Sequence, residues 1–288
     1  MHWFQLHLVL EKRQAAEAEA LLEELGALSV TLSDAEDQPM LEPAPGETPV
    51  WERTRVTGLF PATADLQELR RRLAGRFPAE VKLERLDDRP WERAWLDHFR
   101  PMRFGRRLWI APSGSTVTRK DAVVVELDPG LAFGTGTHPT TALCLEWLDG
   151  ASLQGRCVVD YGCGSGILGI AALKLGAARV IAVDHDPQAL LATRDNARRN
   201  GVFERLEAVA AGDPLPSGCD LVLANILANV LVELAPLLGA LLPPGGELVL
   251  SGILHEQAET VAAAYSPTFS FAPPVRSSGW ARLDGVKR

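Results

Sequence analysis

The stretch that decides the fold of this 288-residue chain is an apolar run that ends in closely spaced glycines. It reads Cys157-Val158-Val159-Asp160-Tyr161-Gly162-Cys163-Gly164-Ser165-Gly166, and Ile167-Leu168-Gly169-Ile170-Ala171-Ala172-Leu173 follows directly. The first five residues are typical of a buried strand, and the second segment is typical of a buried helix. Glycines between a strand and a helix permit a tight turn and the close approach of a ligand to the backbone. The stretch therefore predicts a ligand-binding turn, and the repeated strand–helix units around it predict an α/β fold.

The glycines fit two classes of ligand. Residues 164–169 match the G-x-G-x-x-G of dinucleotide-binding enzymes, with an acidic residue, Asp184, 20 residues after the first glycine. The other register, Asp160-x-Gly162-x-Gly164-x-Gly166, is that of S-adenosylmethionine-dependent methyltransferases. The position of the strand favours the second register. In a dinucleotide-binding turn the first glycine should directly follow the strand, but in this chain that place belongs to Gly162 and not to Gly164. A carboxylate at Asp160 would also repel a pyrophosphate, whereas it suits the positively charged amino acid end of S-adenosylmethionine.

Two later strands are predicted to end in polar residues. One ends at Asp184, where a carboxylate can accept hydrogen bonds from both hydroxyls of a ribose. Another ends at Asn225, whose amide offers an acceptor and a donor where a transferred group would lie. Asn225 can instead, or in addition, cap the helix predicted over 227–238, whereas Asp186 is expected only to cap the helix that begins at Pro187.

A loop rich in glycine and threonine precedes this region. It reads Glu126-Leu127-Asp128-Pro129-Gly130-Leu131-Ala132-Phe133-Gly134-Thr135-Gly136-Thr137-His138-Pro139-Thr140-Thr141. Together with the glycine turn, residues 184–187, Asn225-Ile226-Leu227-Ala228 and the Trp91…Trp95…Phe99-Arg100-Pro101 segment, it resembles the bacterial ribosomal protein L-eleven methyltransferase (PrmA) family. The resemblance covers most of residues 88–288. The chain departs from the family at Gly114, where members often carry a tryptophan.

The resemblance implies a Rossmann-like class I methyltransferase domain over residues 107–288. It also implies S-adenosyl-L-methionine as methyl donor, S-adenosyl-L-homocysteine as product, and no metal. The implied acceptors are the N-terminal α-amine and lysine ε-amines of large-subunit ribosomal protein L-eleven, methylated up to three times.

The same resemblance assigns roles to single residues. Its S-adenosylmethionine contacts fall on Thr141, Gly162, Asp184 and Asn225. Phe133 and His138 would line the donor or acceptor pocket, and the register of the glycine turn adds Asp160 and Gly164 to the cofactor-binding residues. Asn225 is the candidate for orienting the amine. His138 is a candidate proton acceptor, although a histidine in such a loop can equally be a structural hydrogen-bonding residue.

The first 86 residues have a different pattern, in which short strands alternate with helices. Strands are predicted over 1–10, 27–32, 50–60 and 80–86, and helices over 14–25 and 65–77. This β-α-β-β-α-β order predicts a ferredoxin-like α+β domain, which the resemblance identifies as the substrate-recognition domain. Residues 87–106 are expected to contain a linker helix, because Trp91, Trp95 and Phe99 recur at helical spacing.

Charge and composition exclude several functions. The net charge is −8 with a pI of about 5.3, and residues 1–90 contribute −6 of it, which suits a lysine-rich protein partner and not a nucleic acid backbone. The four cysteines form no metal-binding or dithiol spacing. Neither a signal peptide nor a membrane span is predicted, so we expect a cytoplasmic protein. We also expect a monomer. Two rival functions stay open, namely a nicotinamide-dependent oxidoreductase and a non-catalytic binder in ribosome assembly.

Overall fold

A computed structural model describes residues 2–36, 51–87, 100–127 and 138–288 of the chain. The aromatic segment of the predicted linker helix and the pocket candidate Phe133 lie outside these residues. The chain divides into two compact units, Met1–Ala94 and Trp95–Arg288. Each unit has its own hydrophobic core.

The N-terminal unit combines one antiparallel sheet with two helices. Its described elements are β1 (His2–Glu11), α1 (Lys12–Glu24), β2 (Ser29–Asp34), β3 (Arg53–Pro61), α2 (Leu66–Ala74) and β4 (Lys82–Asp87). The strands lie in the order β2-β3-β1-β4, and every neighbouring pair is antiparallel. This confirms the predicted ferredoxin-like fold.

Periodicity explains why these elements form and pack. Leu6, Leu8 and Leu10 alternate along β1 toward one face, where they are buried with Leu22 of α1. Fully burying each such side chain stabilises the fold by about 1.5–3 kcal/mol. Helix α2 begins where the Asp65 carboxylate accepts two backbone N–H bonds of the first turn, at 3.0 and 3.1 Å. Asp65 is thus the predicted N-cap, which is worth about 1 kcal/mol.

The C-terminal unit contains a large mixed sheet and a small one. Its described elements are β5 (Met102–Phe104), β6 (Leu108–Ala111), β7 (Val123–Glu126), α3 (Pro139–Gly150), β8 (Cys157–Tyr161), α4 (Ile167–Lys174), β9 (Arg179–Asp184), α5 (Pro187–Arg199), β10 (Leu206–Ala210), β11 (Leu221–Asn225), α6 (Ala228–Glu233), α7 (Ala235–Leu241), β12 (Glu247–Leu254), α8 (Ala258–Tyr265), β13 (Phe269–Phe271), β14 (Val275–Ser277) and β15 (Trp280–Lys287).

The strand order of the large sheet fits the Rossmann-like domain that the resemblance implies. Its strands run β10-β9-β8-β11-β12-β15-β13, and β14 pairs with β15 outside this path. The first five strands are mutually parallel, whereas β15 is antiparallel to β12 and β13. The buried residues of the sheet belong to two hydrophobic clusters. One cluster contains Ile167, and the other contains Leu231. The predicted α/β fold class is therefore confirmed.

One local prediction is corrected, and one predicted range proves to contain an additional strand. The single helix predicted over 227–238 is instead two helices, α6 and α7. The break falls just before Pro236, because proline has no N–H for the preceding helix but fits the first turn of a new one. Strand β5 lies inside the range predicted as a linker and pairs with β6 from Met102 to Phe104. The C-terminal unit therefore includes ordered structure before residue 107.

Helix α3 is held to the small sheet by a buried carboxylate. Asp149 accepts hydrogen bonds from the backbone N–H groups of Arg106 and Leu108, the latter at 2.9 Å. The turn between β5 and β6 is thereby bonded to the C-terminal end of α3. No helix in the described part of the chain is long and apolar enough to cross a membrane.

Candidate active site

Three strand ends bring the predicted site residues to one edge of the large sheet. Strands β9 and β11 flank β8, and all three are parallel. Their carboxyl ends therefore lie side by side and carry Asp184, Asn225 and, directly after β8, Gly162. The chain continues from β8 to β9 and β10 on one side and then crosses to β11 on the other side of β8. Such a switch point opens a crevice where ligands bind in α/β sheets.

The glycine turn needs glycine for conformational and steric reasons. Gly162, Gly164 and Gly166 have φ angles of 75°, 54° and 78°, in the left-handed region that other residues avoid. The N–H groups of Gly162 and Cys163 donate to the carbonyl of Val183 at 2.8 and 3.0 Å, which ties the turn to β9. A Cβ at Gly162 would also overlap Cγ2 of Ile226. The turn consequently presents bare backbone toward the crevice.

Asp160 lies beneath this turn at the end of β8. Its side chain is buried, and its carboxylate accepts a hydrogen bond from the N–H of Gly169 at 2.8 Å. Burial raises the pKa of Asp160 to about 7, the bond from Gly169 opposes this, and the charge of Asp184 adds to it. The carboxyl group therefore titrates near neutral pH, and a nearby cation would favour its charged form.

The carboxylate of Asp184 is bonded to the backbone of the glycine turn and to the backbone just before α5. Its Oδ2 accepts from the N–H of Gly164 at 2.9 Å, and its Oδ1 accepts from the N–H of Asp186 at 3.0 Å. Each carboxylate oxygen has a second acceptor position, so these bonds leave capacity for ribose hydroxyls. Asp186 accepts from the N–H of Gln188 at 2.8 Å, which confirms its predicted role as the cap of α5.

Asn225 and Thr141 form a pair across the crevice. The side-chain Nδ2 of Asn225 donates to Oγ1 of Thr141 at 3.2 Å. The Oδ1 atom of Asn225 is buried and has no hydrogen-bond partner within the described residues. A buried polar atom without a partner is costly, and it marks a place where a ligand can supply the missing donor. Asn225 is not the cap of the following helix, because α6 has Leu227 at that position.

His138 is placed at the start of α3 as its N-cap. Its Nδ1 lies 2.7 Å from the hydroxyl of Thr140 and 3.4 Å from the N–H of the same residue. The imidazole also packs edge-on against Trp280, with ring centroids 4.7 Å apart. Burial lowers the pKa of His138 and so favours the neutral ring. This placement gives His138 a structural role, since it fixes the turn of helix that carries Thr141.

Two buried residues of α5, which the sequence analysis did not single out, hold the glycine turn from the other side. The hydroxyl of Thr193 donates to the carbonyl of Gly164 at 3.0 Å. The amide of Asn196 donates to the carbonyl of Ser165 at 2.9 Å. A signal was present, because polar residues 193, 196 and 200 recur at helical spacing, on the face that also carries the buried Ala189 and Ala197.

The cysteine inside the turn is not a nucleophile. Cys163 is buried, and its sulfur lies 3.4 Å from the hydroxyl of Thr193. Burial raises the pKa of its thiol, so the reactive thiolate is disfavoured.

The residues present fit S-adenosylmethionine. The bare glycine backbone suits close approach of a nucleoside with its amino acid tail. The carboxylate of Asp184 at a strand end suits a ribose, and the ionisable Asp160 suits an ammonium group. The unpartnered Oδ1 of Asn225 adds an acceptor in the same crevice.

Comparisons with known proteins agree with this geometry. A family model described as ribosomal protein L11 methyltransferase (PrmA) matches residues 2–288. The ribosomal protein L11 methyltransferase of Methylococcus capsulatus is 57% identical over 291 residues, with 99% of each chain covered. That of Azotobacter vinelandii is 55% identical over 293 residues, with both chains fully covered. A crystal structure of ribosomal protein L11 methylase from Lactobacillus delbrueckii subsp. bulgaricus is 33% identical with a TM-score of 0.61, covering 66% of this chain and 100% of that chain.

The match over nearly the whole chain decides between the two registers of the glycine turn. It supports the register that begins at Asp160 and removes the reason for the dinucleotide register. The chain therefore belongs to the ribosomal protein L11 methyltransferase family.

Proposed function

We propose that this protein transfers methyl groups from S-adenosylmethionine to the N-terminal α-amine and to lysine ε-amines of ribosomal protein L11. The observation that carries the proposal is the unpartnered, buried Oδ1 of Asn225 beside Thr141, at the switch point of the sheet. An amine nitrogen with its N–H groups is a donor that such an oxygen can orient.

The donor would be held by residues of three strand ends. The backbone of Gly162 and Gly164 would contact it, Asp184 would accept the ribose hydroxyls, and Asp160 would balance its ammonium group. Thr141 would complete this set from the start of α3. When bound, the donor supplies a methyl group already activated by a positively charged sulfur, so the protein needs mainly to position the two reactants and exclude water.

The acceptor amine must be neutral when it attacks. Unperturbed lysine and α-amino groups have pKa values of about 10.4 and about 7.7–8.0, so both are largely or partly protonated near pH 7. Oδ1 of Asn225 can accept an N–H of the neutral amine and so direct its lone pair. Leu227, which is half exposed, would provide an apolar surface for the methylene chain of lysine.

Before each transfer, the ammonium form of the acceptor must lose one proton to give the neutral amine that attacks the methyl group. Asn225 cannot take up that proton, because a neutral amide is not a base at this pH. The proton can pass to solvent or to His138, whose lowered pKa leaves the ring in its neutral form. The N-cap geometry of His138 supports the first route.

We assign choice of the protein substrate to the N-terminal unit, predicted as residues 1–86. Residues 1–90 carry a net charge of −6, which complements a lysine-rich acceptor. The enzyme would act as a cytoplasmic monomer on this one protein partner.

Mass spectrometry of purified ribosomal protein L11 tests the proposal. After incubation with the enzyme and S-adenosylmethionine, the intact protein should gain mass in whole methyl increments, and fragmentation should place them on the N-terminus and on lysines. Increments confined to other residue types would refute the proposed acceptors. An unmodified but tightly bound ribosomal protein would favour the non-catalytic binder, and calorimetric binding of NAD without binding of S-adenosylhomocysteine would favour the oxidoreductase.

A further inference from the structure

Strand β12 contains a β-bulge next to the candidate site. Two of its residues, Ser251 and Gly252, lie between the pairs Leu250–Leu283 and Ile253–Ala281, where β15 has only one residue. Gly252 has a φ of +84°, which other residues rarely adopt. Bulges next to active sites commonly redirect neighbouring groups. The position of this bulge, directly beside the end of β11, suggests such a function.

Ser251 connects the two chain segments that carry the Asn225–Thr141 pair. It is the registered neighbour of Asn225 in the parallel ladder, and its carbonyl accepts the N–H of Ile226 at 3.2 Å. Its buried hydroxyl lies 3.2 Å from the carbonyl of Thr140 and 3.2 Å from that of Ala281. One residue therefore bonds to the chain directly after Asn225 and directly before Thr141.

Gly252 fixes the backbone after Asn225 by close contact. A Cβ at Gly252 would overlap the carbonyl oxygen of Ile226 and would lie 2.8 Å from both its backbone carbon and its nitrogen. On the other side, a Cβ at Gly162 would overlap the Ile226 side chain. Ile226 is thus enclosed between a glycine of the turn after β8 and a glycine of the bulge.

We propose that the Ser251–Gly252 bulge is the positioning element that sets the Asn225 amide against Thr141, and so orients the acceptor amine. The bulge acts through hydrogen bonds and contacts of its backbone and does not touch the substrate. This inference rests on the proposed role of Asn225, and the test therefore includes a readout of the Asn225 amide itself. The bulge makes no contact with Asp184, the residue proposed to bind the ribose, so donor affinity should fall by less than kcat does.

Gly252→Ala is the direct test, and Gly245→Ala is its matched control. Gly245 has nearly the same φ, +82°, but no atom lies within 4 Å of its hypothetical Cβ. Both variants carry the conformational strain, whereas only Gly252→Ala presses on Ile226. Ser251→Ala provides a second variant that removes only a hydroxyl. Its control is Tyr265→Phe, which removes another buried hydroxyl bond to a carbonyl, that of Leu231 at 2.7 Å.

Three quantities should be measured on the full-length protein. They are the affinity for S-adenosylhomocysteine, kcat and KM on ribosomal protein L11, and the NMR signal of the Asn225 side-chain NH₂, assigned by its loss in Asn225→Ala. We expect Gly252→Ala to lower kcat by about tenfold or more, because small misplacements of reactive groups are costly. KM should stay within about threefold, and the Asn225 signal should shift. Affinity for S-adenosylhomocysteine should fall by less than kcat does, because Thr141 is only one of the proposed donor contacts. Ser251→Ala should give a smaller loss of the same kind, and both controls should resemble the wild type.

An unshifted Asn225 signal in both Gly252→Ala and Ser251→Ala would overturn the proposal. The proposal would also be overturned if Gly252→Ala and Ser251→Ala lost no more kcat than their two controls while Asn225→Ala was strongly impaired. A shifted signal together with full activity of Asn225→Ala would support the positioning of the amide and refute the proposed catalytic use of Asn225. The two failures are therefore distinguishable.

Discussion

The carboxylate of Asp184 accepts a hydrogen bond from the backbone N–H of Gly164 at 2.9 Å, so the end of β9 is bonded to the middle of the glycine turn. A residue predicted to bind a ribose therefore also organises the backbone on which the rest of the donor would lie. The side chain is largely buried, which keeps water from competing for these bonds. Loss of the carboxylate should affect donor binding through both contributions.

Asp184→Ala should weaken binding of S-adenosylhomocysteine by about 1.5–3 kcal/mol, because a charge-assisted hydrogen bond to the ligand is lost. Calorimetric titration measures this directly. Asp186→Ala is the matched control, since Asp186 is an exposed cap two residues away and is bonded to Gln188. Equal affinities for Asp184→Ala and wild type, with both folded, would remove Asp184 from the donor site.

The pKa of Asp160 predicts a pH dependence of stability. Burial raises this pKa from its ordinary 3.8 to about 7, so the native state holds the proton more tightly than the unfolded chain does. The contribution of Asp160 to the free energy of unfolding should therefore fall as pH rises from about 4 to about 7, by at most about 1.4 kcal/mol per pH unit, and should level off above that range. Urea unfolding at a series of pH values gives the curve.

Asp160→Asn isolates this contribution from the other titrating groups. The amide keeps the size of the side chain and an acceptor for the N–H of Gly169, but it does not titrate. As pH rises through this range, the free energy of unfolding of the wild type should fall relative to that of the variant. A difference that stays constant between pH values of about 4 and 7 would mean that Asp160 does not titrate there.

Two substitutions at His138 test whether its side chain acts as the N-cap of α3 or as the proton acceptor. Asparagine is a good N-cap, so His138→Asn should retain the start of α3 and most of kcat, whereas His138→Ala should lose about 1 kcal/mol of stability. Thermal unfolding and steady-state kinetics of both variants provide the comparison. A drop in kcat of about 100-fold or more in His138→Asn, with normal stability, would instead identify His138 as the proton acceptor.

Local sequence patterns predicted the parts of the molecule that local physics determines. The alternation of Leu6, Leu8 and Leu10 and the cap at Asp65 follow from interactions within a few residues. The glycine turn was recognisable because a left-handed backbone at three alternate positions leaves little choice other than glycine. The strand ends at Asp184 and Asn225 could be placed together because parallel strands share an edge.

The remaining features depend on contacts between distant segments. The requirement for glycine at 252 arises from the backbone of Ile226 on a neighbouring strand, which no local pattern reveals. The bonds from Thr193 and Asn196 to the glycine turn span about thirty residues of sequence. That Asn225 faces Thr141 instead of capping α6 likewise depends on the packing of α3 against the sheet.

The last prediction concerns where the protein substrate is recognised. A fragment that starts at Arg100 keeps β5 and its pairing with β6, as well as the glycine turn, Asp184 and Asn225. It should bind S-adenosylhomocysteine like the full-length enzyme, because the C-terminal unit has its own core. It should lose most of its kcat/KM on ribosomal protein L11, about 100-fold or more, since the acidic N-terminal surface is gone. Activity of the full-length enzyme should also fall with added salt, which screens attraction between an acidic surface and a basic partner. Full activity of a fragment that binds the donor normally would place substrate recognition in the C-terminal unit.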